Sequence, residues 1–190
     1  MASDAFDASV ASDASVAWVD GLAARAHAGQ TDRIGVPYVE HVRAVAAGLA
    51  PFGPELRMAG LLHDVVEDTE WTAERLLAAG VPARVVGIVE QVTNRPGVPY
   101  EEMIRRIADD GGDAVLVKIS DNAHNCHPAR LARLPEEQRA RLAAKYRAAR
   151  DVLWAAAEPG RIEAIVTIVN PALLDELRER VAAEAGQARR

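Results

Sequence analysis

The stretch Leu61-Leu62-His63-Asp64-Val65-Val66-Glu67-Asp68-Thr69 decides how the chain is read. As a helix it places His63 and Glu67 one turn apart at i, i+4, Asp64 and Asp68 likewise, and Asp64 and Glu67 at i, i+3. Directly upstream, Met58-Ala59-Gly60-Leu61-Leu62 is apolar enough to be buried on most faces. One imidazole and three carboxyls at the end of a buried helix carry a severe desolvation penalty unless positive charge sits among them. A divalent metal ion is the economical source of that charge.

Working outward, 190 residues suit one domain with a full hydrophobic core. Aliphatic residues and alanine dominate, aromatics make up 4%, and ten prolines fall mostly at the edges of helical patterns, which predicts an all-α helical bundle. A net charge of −6 argues against nucleic acid as the main partner, because backbone binding needs clustered Lys and Arg. A small anionic substrate is compatible if the site is locally positive. The single cysteine, Cys126, excludes an internal disulfide and fits a reducing compartment. The first fifteen residues carry three Asp and no Lys or Arg, and no apolar run approaches membrane-spanning length. The expectation is a cytoplasmic protein with no membrane association; the sequence leaves its oligomeric state open.

Residues 1–12, rich in Ala, Ser and Asp, are expected to be a flexible segment preceding a single domain over 13–190. Helices are predicted from Asp13, as N-cap, to near Gly29; from Tyr38 to about Leu49; and from Glu55 through the central stretch. Thr72 caps a helix to Ala79, Pro82 opens one through Val92, and Tyr100 to Asp109 forms another. Ala114 to Asn125 holds Val115, Leu116, Val117 and Ile119; a buried strand is the alternative, but length and lack of a partner strand favour a helix. A long helix over Pro135–Ala157 and a last pair, Ile162–Val169 and Ala172–Ala185, complete the pattern.

Two more polar residues interrupt apolar faces: His41, between Val39 and Val42, and Asp121, after Val115 to Ser120. Alone, each has a bland reading, a hydrogen-bonded core histidine and an aspartate paired with Lys118 at i−3. Together, His41, His63, Asp64 and Asp121 supply two nitrogens and two carboxylates from three helices, which a bundle needs to enclose one metal ion. Such mixed ligation suits Mn²⁺, Fe²⁺ or Zn²⁺ better than Ca²⁺.

These four residues resemble the H…HD…D signature of the HD-domain metal-dependent phosphohydrolases. Ala26-His27-Ala28-Gly29-Gln30, Pro37-Tyr38-Val39-Glu40-His41, the central stretch, and Val117-Lys118-Ile119-Ser120-Asp121 with Asn125 are similar to the hydrolase half of the RelA/SpoT proteins and to small alarmone hydrolases. The similarity covers roughly residues 15 to 150. It implies an all-α HD fold, usually holding Mn²⁺, that removes pyrophosphate from the 3′ position of guanosine tetra- or pentaphosphate. The chain ends where the RelA/SpoT synthetase domain would begin, so alarmone synthesis is not expected.

Glu67 and Asp68 are then free to act on water. A carboxylate one turn from the metal pair can orient or deprotonate it, and the family's Glu-Asp pair is assigned that role. The competing reading makes both residues caps for the segment after Thr69. By resemblance Tyr146 falls where the family has a tyrosine near the nucleotide, packing on its helix being the alternative, and Arg33, one position off the family's Arg, and Asn125 are candidate substrate contacts. Two departures reduce positive charge there: Thr31-Asp32-Arg33-Ile34-Gly35 has an acid where the family carries Arg, and Cys126-His127-Pro128 lacks the family's Arg after Asn125. His124 and His127 are candidates for ligand-supporting groups, a phosphate-binding pair or surface residues, and His27 is read as structural. Two alternatives stand beside alarmone hydrolysis: phosphohydrolysis of another nucleotide, and non-catalytic sensing of metal or nucleotide.

Overall fold

A computed structural model describes residues 12–187. Among these the fold is all-α, with no strand and only an isolated bridge between Thr31 and Pro37. The helices are α1 (Asp13–Ala26), α2 (Tyr38–Gly48), α3 (Pro54–Leu62), α4 (Val65–Asp68), α5 (Ala73–Ala78), α6 (Ala83–Val92), α7 (Tyr100–Asp110), α8 (Asp113–Asn125), α9 (Pro128–Leu131), α10 (Glu136–Ala155), α11 (Pro159–Val169) and α12 (Leu174–Gln187). The β-branched run Val115–Ile119 is helical and buried, as its length implied.

Local chemistry explains the boundaries. Ser12 rather than Asp13 caps α1: its side chain accepts from the Ser15 N–H while the Ser15 hydroxyl accepts from the Ser12 N–H, a reciprocal capping box. The expected flexible segment otherwise lies outside the described residues. Thr72 caps α5 through the Arg75 N–H, and Pro37, Pro82, Pro99 and Pro135 each precede a helix in extended conformation. The four-residue α9 was not anticipated; His127 caps it by accepting from the Ala129 N–H.

The central stretch departs from one continuous helix. α3 ends at Leu62, His63 and Asp64 form a turn with Asp64 at φ −105° and ψ −3°, and α4 restarts at Val65. The Gly60 carbonyl, which a continuous helix would offer to the Asp64 N–H, accepts from His63 Nδ1 at 2.8 Å. The break turns the imidazole and Asp64 toward a common point, while the Asp68 N–H still reaches the Asp64 carbonyl at 2.9 Å.

α3 sits centrally, packed on α1, α2, α6 and α8. Its close approach to α2 depends on Gly60, where a Cβ would fall 2.9 Å from Ala46 Cα and 2.8 Å from Leu49 Cδ1. Gly48 plays the same part for α2 against Ser120 of α8 and Val169 of α11. Ser120 Oγ donates to the Val45 carbonyl at 2.8 Å, fixing α8 on α2. These contacts bring His41, on α2, and Asp121, on α8, to the broken end of α3.

Candidate active site

His41, His63 and Asp121 are buried, at 3%, 1% and 7% exposure. The ligand-type atoms of His41, His63 and Asp64 all lie within 4.8 Å of one another. Asp64 Oδ2 is 2.9 Å from His63 Nε2 and 3.5 Å from His41 Nε2. Asp121 closes the group from the α8 side, with Oδ1 3.4 Å from His41 Nε2 and 3.8 Å from His63 Nε2. Three of the predicted ligands therefore form one cluster, and the fourth, Asp121, stands beside its two histidines.

Surrounding groups hold these atoms. Tyr38, one turn before His41, donates its hydroxyl to Asp64 Oδ2 at 2.7 Å. Lys118 Nζ, buried, lies 2.9 Å from Asp121 Oδ2, the pairing read from the sequence, while Oδ1 faces the histidines. Asn125 Nδ2 donates to Asp121 Oδ1. Behind the imidazoles, His63 Nδ1 donates to Gly60 O, and His41 Nδ1 lies 2.7 Å from His124 Nδ1.

Burial opposes ionisation of Asp64, but the charge of His63 and the hydrogen bond from His41 outweigh it and hold the carboxyl well below its usual range. Asp121 is likewise held low against burial, chiefly by Lys118. Burial would lower His41, yet Asp121 and Asp64 raise it to about 9, whereas burial beside His41 and Arg130 lowers His124 to about 3. At the rim, partial desolvation and repulsion from Asp64 raise both Glu67 and Asp68, in the case of Glu67 against a hydrogen bond from the Asn94 N–H to Oε2 at 3.0 Å.

His41, Asp64, Asp121, Glu67 and Asp68 line a cavity of about 380 Å³, within the size range of small-molecule sites, with His63 buried behind them. The predicted Arg33, Asn125 and Tyr146 line it too, with Asn125 also engaged by Asp121. Sequence reasoning missed Asn94, Tyr100, Arg130 and Lys145 on the same walls. Lys145 Nζ lies 3.7 Å from the centre of the Tyr100 ring, a cation–π contact that holds the ammonium at the cavity.

Asp32 behaves differently from what its charge suggested. Its carboxylate accepts from the Ile34 and Val36 N–H groups, both at 2.9 Å, and pairs with Arg130 Nη1 at 2.8 Å. It is a loop cap paired with a cation from α9, Arg130, which also lines the cavity. His127 is spent on capping α9. His27 Nδ1 lies 2.7 Å from Gln30 Oε1, and Gln30 Nε2 donates to the Asp68 carbonyl, a structural role with a link to the rim.

A family model of the HD domain matches residues 20–169, and the chain belongs to the HD-domain family. It is 36% identical over 132 residues to a GTP pyrophosphokinase of Streptomyces coelicolor, covering 63% of this chain and 15% of that protein. A guanosine-3′,5′-bis(diphosphate) 3′-pyrophosphohydrolase of Haemophilus influenzae is 35% identical over 133 residues, covering 64% and 19%. The zebrafish (Danio rerio) pyrophosphohydrolase MESH1 is 36% identical over 114 residues, covering 55% and 63%. The chain thus spans less than a fifth of the large bacterial relatives. A solved structure described as a metazoan SpoT ortholog that hydrolyses ppGpp shares the fold, with a TM-score of 0.66 at 24% identity over 83% of this chain and 94% of that one.

Family membership implies a divalent metal ion, and the residues fit one. His63 Nε2 is buried without a hydrogen-bond partner although Asp64 Oδ2 is 2.9 Å away. With the proton on Nδ1, Nε2 turns its lone pair toward carboxylate oxygens, an arrangement that a cation converts from repulsive to attractive.

Proposed function

We propose that the chain is a metal-dependent phosphohydrolase that removes pyrophosphate from the 3′ position of ppGpp or pppGpp, leaving GDP or GTP. The observation carrying this reading is one cavity with the His41, His63, Asp64 and Asp121 cluster at its base, Glu67 and Asp68 at its rim, and Arg33, Arg130 and Lys145 on its walls. The names of the relatives support it, as does the mixed nitrogen and oxygen donor set, which suits Mn²⁺.

His41, His63, Asp64 and Asp121 would hold a divalent ion, which would supply charge neutralisation at the phosphoryl group and lower the pKa of the attacking water. Glu67, fixed by the Asn94 N–H and raised above its ordinary value by burial, orients that water and takes its proton. Asp68 beside it holds the second position of the pair. Lys118 keeps Asp121 ionised, and Tyr38 restrains Asp64. Arg33, Arg130 and Lys145 offset the charge of a polyphosphate, and Tyr100 and Tyr146 offer aromatic surface for its base.

Arg33 is the sole cation in residues 31–35, which favours, as a second reading, hydrolysis of a less charged nucleotide. Incubation with Mn²⁺ and a nucleotide panel separates the readings. Pyrophosphate from ppGpp supports the first, phosphate from a mononucleotide supports the second, and no product refutes both.

A further inference from the structure

His41 and His63 both turn Nε2 toward the carboxylates, and each has its other ring nitrogen engaged from behind. For His63 that partner is a carbonyl, which can only accept, so Nδ1 carries the proton. For His41 the partner is another imidazole, His124, with the two Nδ1 atoms 2.7 Å apart. The ring centroids are 4.9 Å apart and the planes are inclined by 30°, so the two rings meet edge to edge. Two ring nitrogens at that distance share one proton, and its owner decides what His41 can do. An imidazole that binds a cation through Nε2 must keep its proton on Nδ1. His124 is then the acceptor, with its own proton on Nε2.

We infer that His124 is a positioning residue for His41, fixing the tautomer and rotation that present the His41 Nε2 lone pair to the metal ion. The inference rests on the reading of His41 as a ligand. The usual acceptor behind a ligating histidine is a carboxylate, a backbone carbonyl or water. A neutral imidazole does the same work without adding a fifth negative charge to Asp64, Glu67, Asp68 and Asp121. The placement follows from α8, where His124 stands three residues after Asp121, so one helix delivers both a ligand and the support of another ligand. The Ser120 to Val45 hydrogen bond fixes that helix against α2 and sets the distance between the two histidines.

Two measurements on the metal-free protein test this. Ring ¹⁵N NMR of the wild type at alkaline pH, where His41 is neutral, should show His41 protonated at Nδ1, His124 at Nε2, and a coupling across the hydrogen bond. The opposite assignment overturns the inference without any variant. Mn²⁺ titration should then show roughly 10- to 100-fold weaker binding in His124→Phe, the usual cost of losing such a partner. His124→Asn, whose side-chain carbonyl can accept the same proton, should recover most of it. A merely structural role would weaken the Phe and Asn variants alike and leave the His41 tautomer unchanged. His41→Ala separates the two levels: if it loses Mn²⁺ while His124→Phe does not, the positioning role is refuted, and if it keeps full affinity, the ligand reading beneath it falls.

Discussion

Asp64 Oδ2 accepts from Tyr38 and faces the Nε2 atoms of His41 and His63, an arrangement that serves position more than stability. Asp64→Ala should abolish high-affinity metal binding by elemental analysis, and full retention would disprove the ligand set. Glu67→Gln should keep the metal and substrate affinity but lower turnover by about two to four orders of magnitude, measured at saturating metal. Asp68→Asn should show a defect of the same kind; unchanged turnover in the Glu67 variant would make that carboxylate a cap. The pH trend follows from His41. Its pKa in the metal-free protein is raised to about 9, so metal must displace a proton at neutral pH, and affinity should rise roughly tenfold per pH unit up to about pH 9. The sign for stability is the reverse: with a raised folded-state pKa, the metal-free protein keeps the His41 contribution below pH 6.5 and loses it as pH rises through 9. Calorimetric titration at pH 6, 7 and 8 with proton-release measurement checks the first trend. At this scale the sequence was most legible for residues that violate an apolar pattern, such as His41 and Asp121. It was least legible for Arg130 and Lys145, which look like ordinary surface cations until packing brings them to one cavity. His124 was legible in principle, because on a helix it falls on nearly the same face as Asp121.

Between α2 and α3 the deciding feature is what is missing from Gly60. A methyl there would meet the Ala46 backbone, which cannot rotate away as a side chain would. Gly60→Ala should cost roughly 1–3 kcal/mol by overpacking. Denaturant melts measure that cost, and weaker Mn²⁺ binding should accompany it, because α3 carries His63 at its end. A fully stable variant with unaltered metal affinity would show that the helix pair adjusts freely. Helix existence was readable from periodicity, prolines and caps along most of the chain. The break at His63–Asp64 was not, since Leu61 to Thr69 has unbroken helical spacing and the interruption comes from a side chain taking a place at the Gly60 carbonyl. The short α9 escaped because four residues have no measurable period.

The bundle as a whole gathers acids and bases around one cavity despite its net charge of −6. Asp32 looked like a loss of positive charge at the substrate loop; its ion pair with Arg130, and the hydrogen bond from Arg133 to the Ile34 carbonyl, instead tie that loop to the α9 region. Arg130→Ala should therefore raise KM for a polyphosphate substrate by roughly tenfold, about 1.4 kcal/mol, with a smaller change in kcat. Equal KM values would place the phosphates elsewhere in the cavity. Among the described residues no helix is long and apolar enough to cross a membrane. The central claim, that this cavity cleaves a 3′-pyrophosphate, is tested most directly by ³¹P NMR of ppGpp incubated with the Mn²⁺-loaded protein. The expected spectrum shows GDP and pyrophosphate growing together at equal rates, and neither with the Asp64→Ala protein. Orthophosphate as the first product, or unchanged ppGpp at saturating metal, would contradict it.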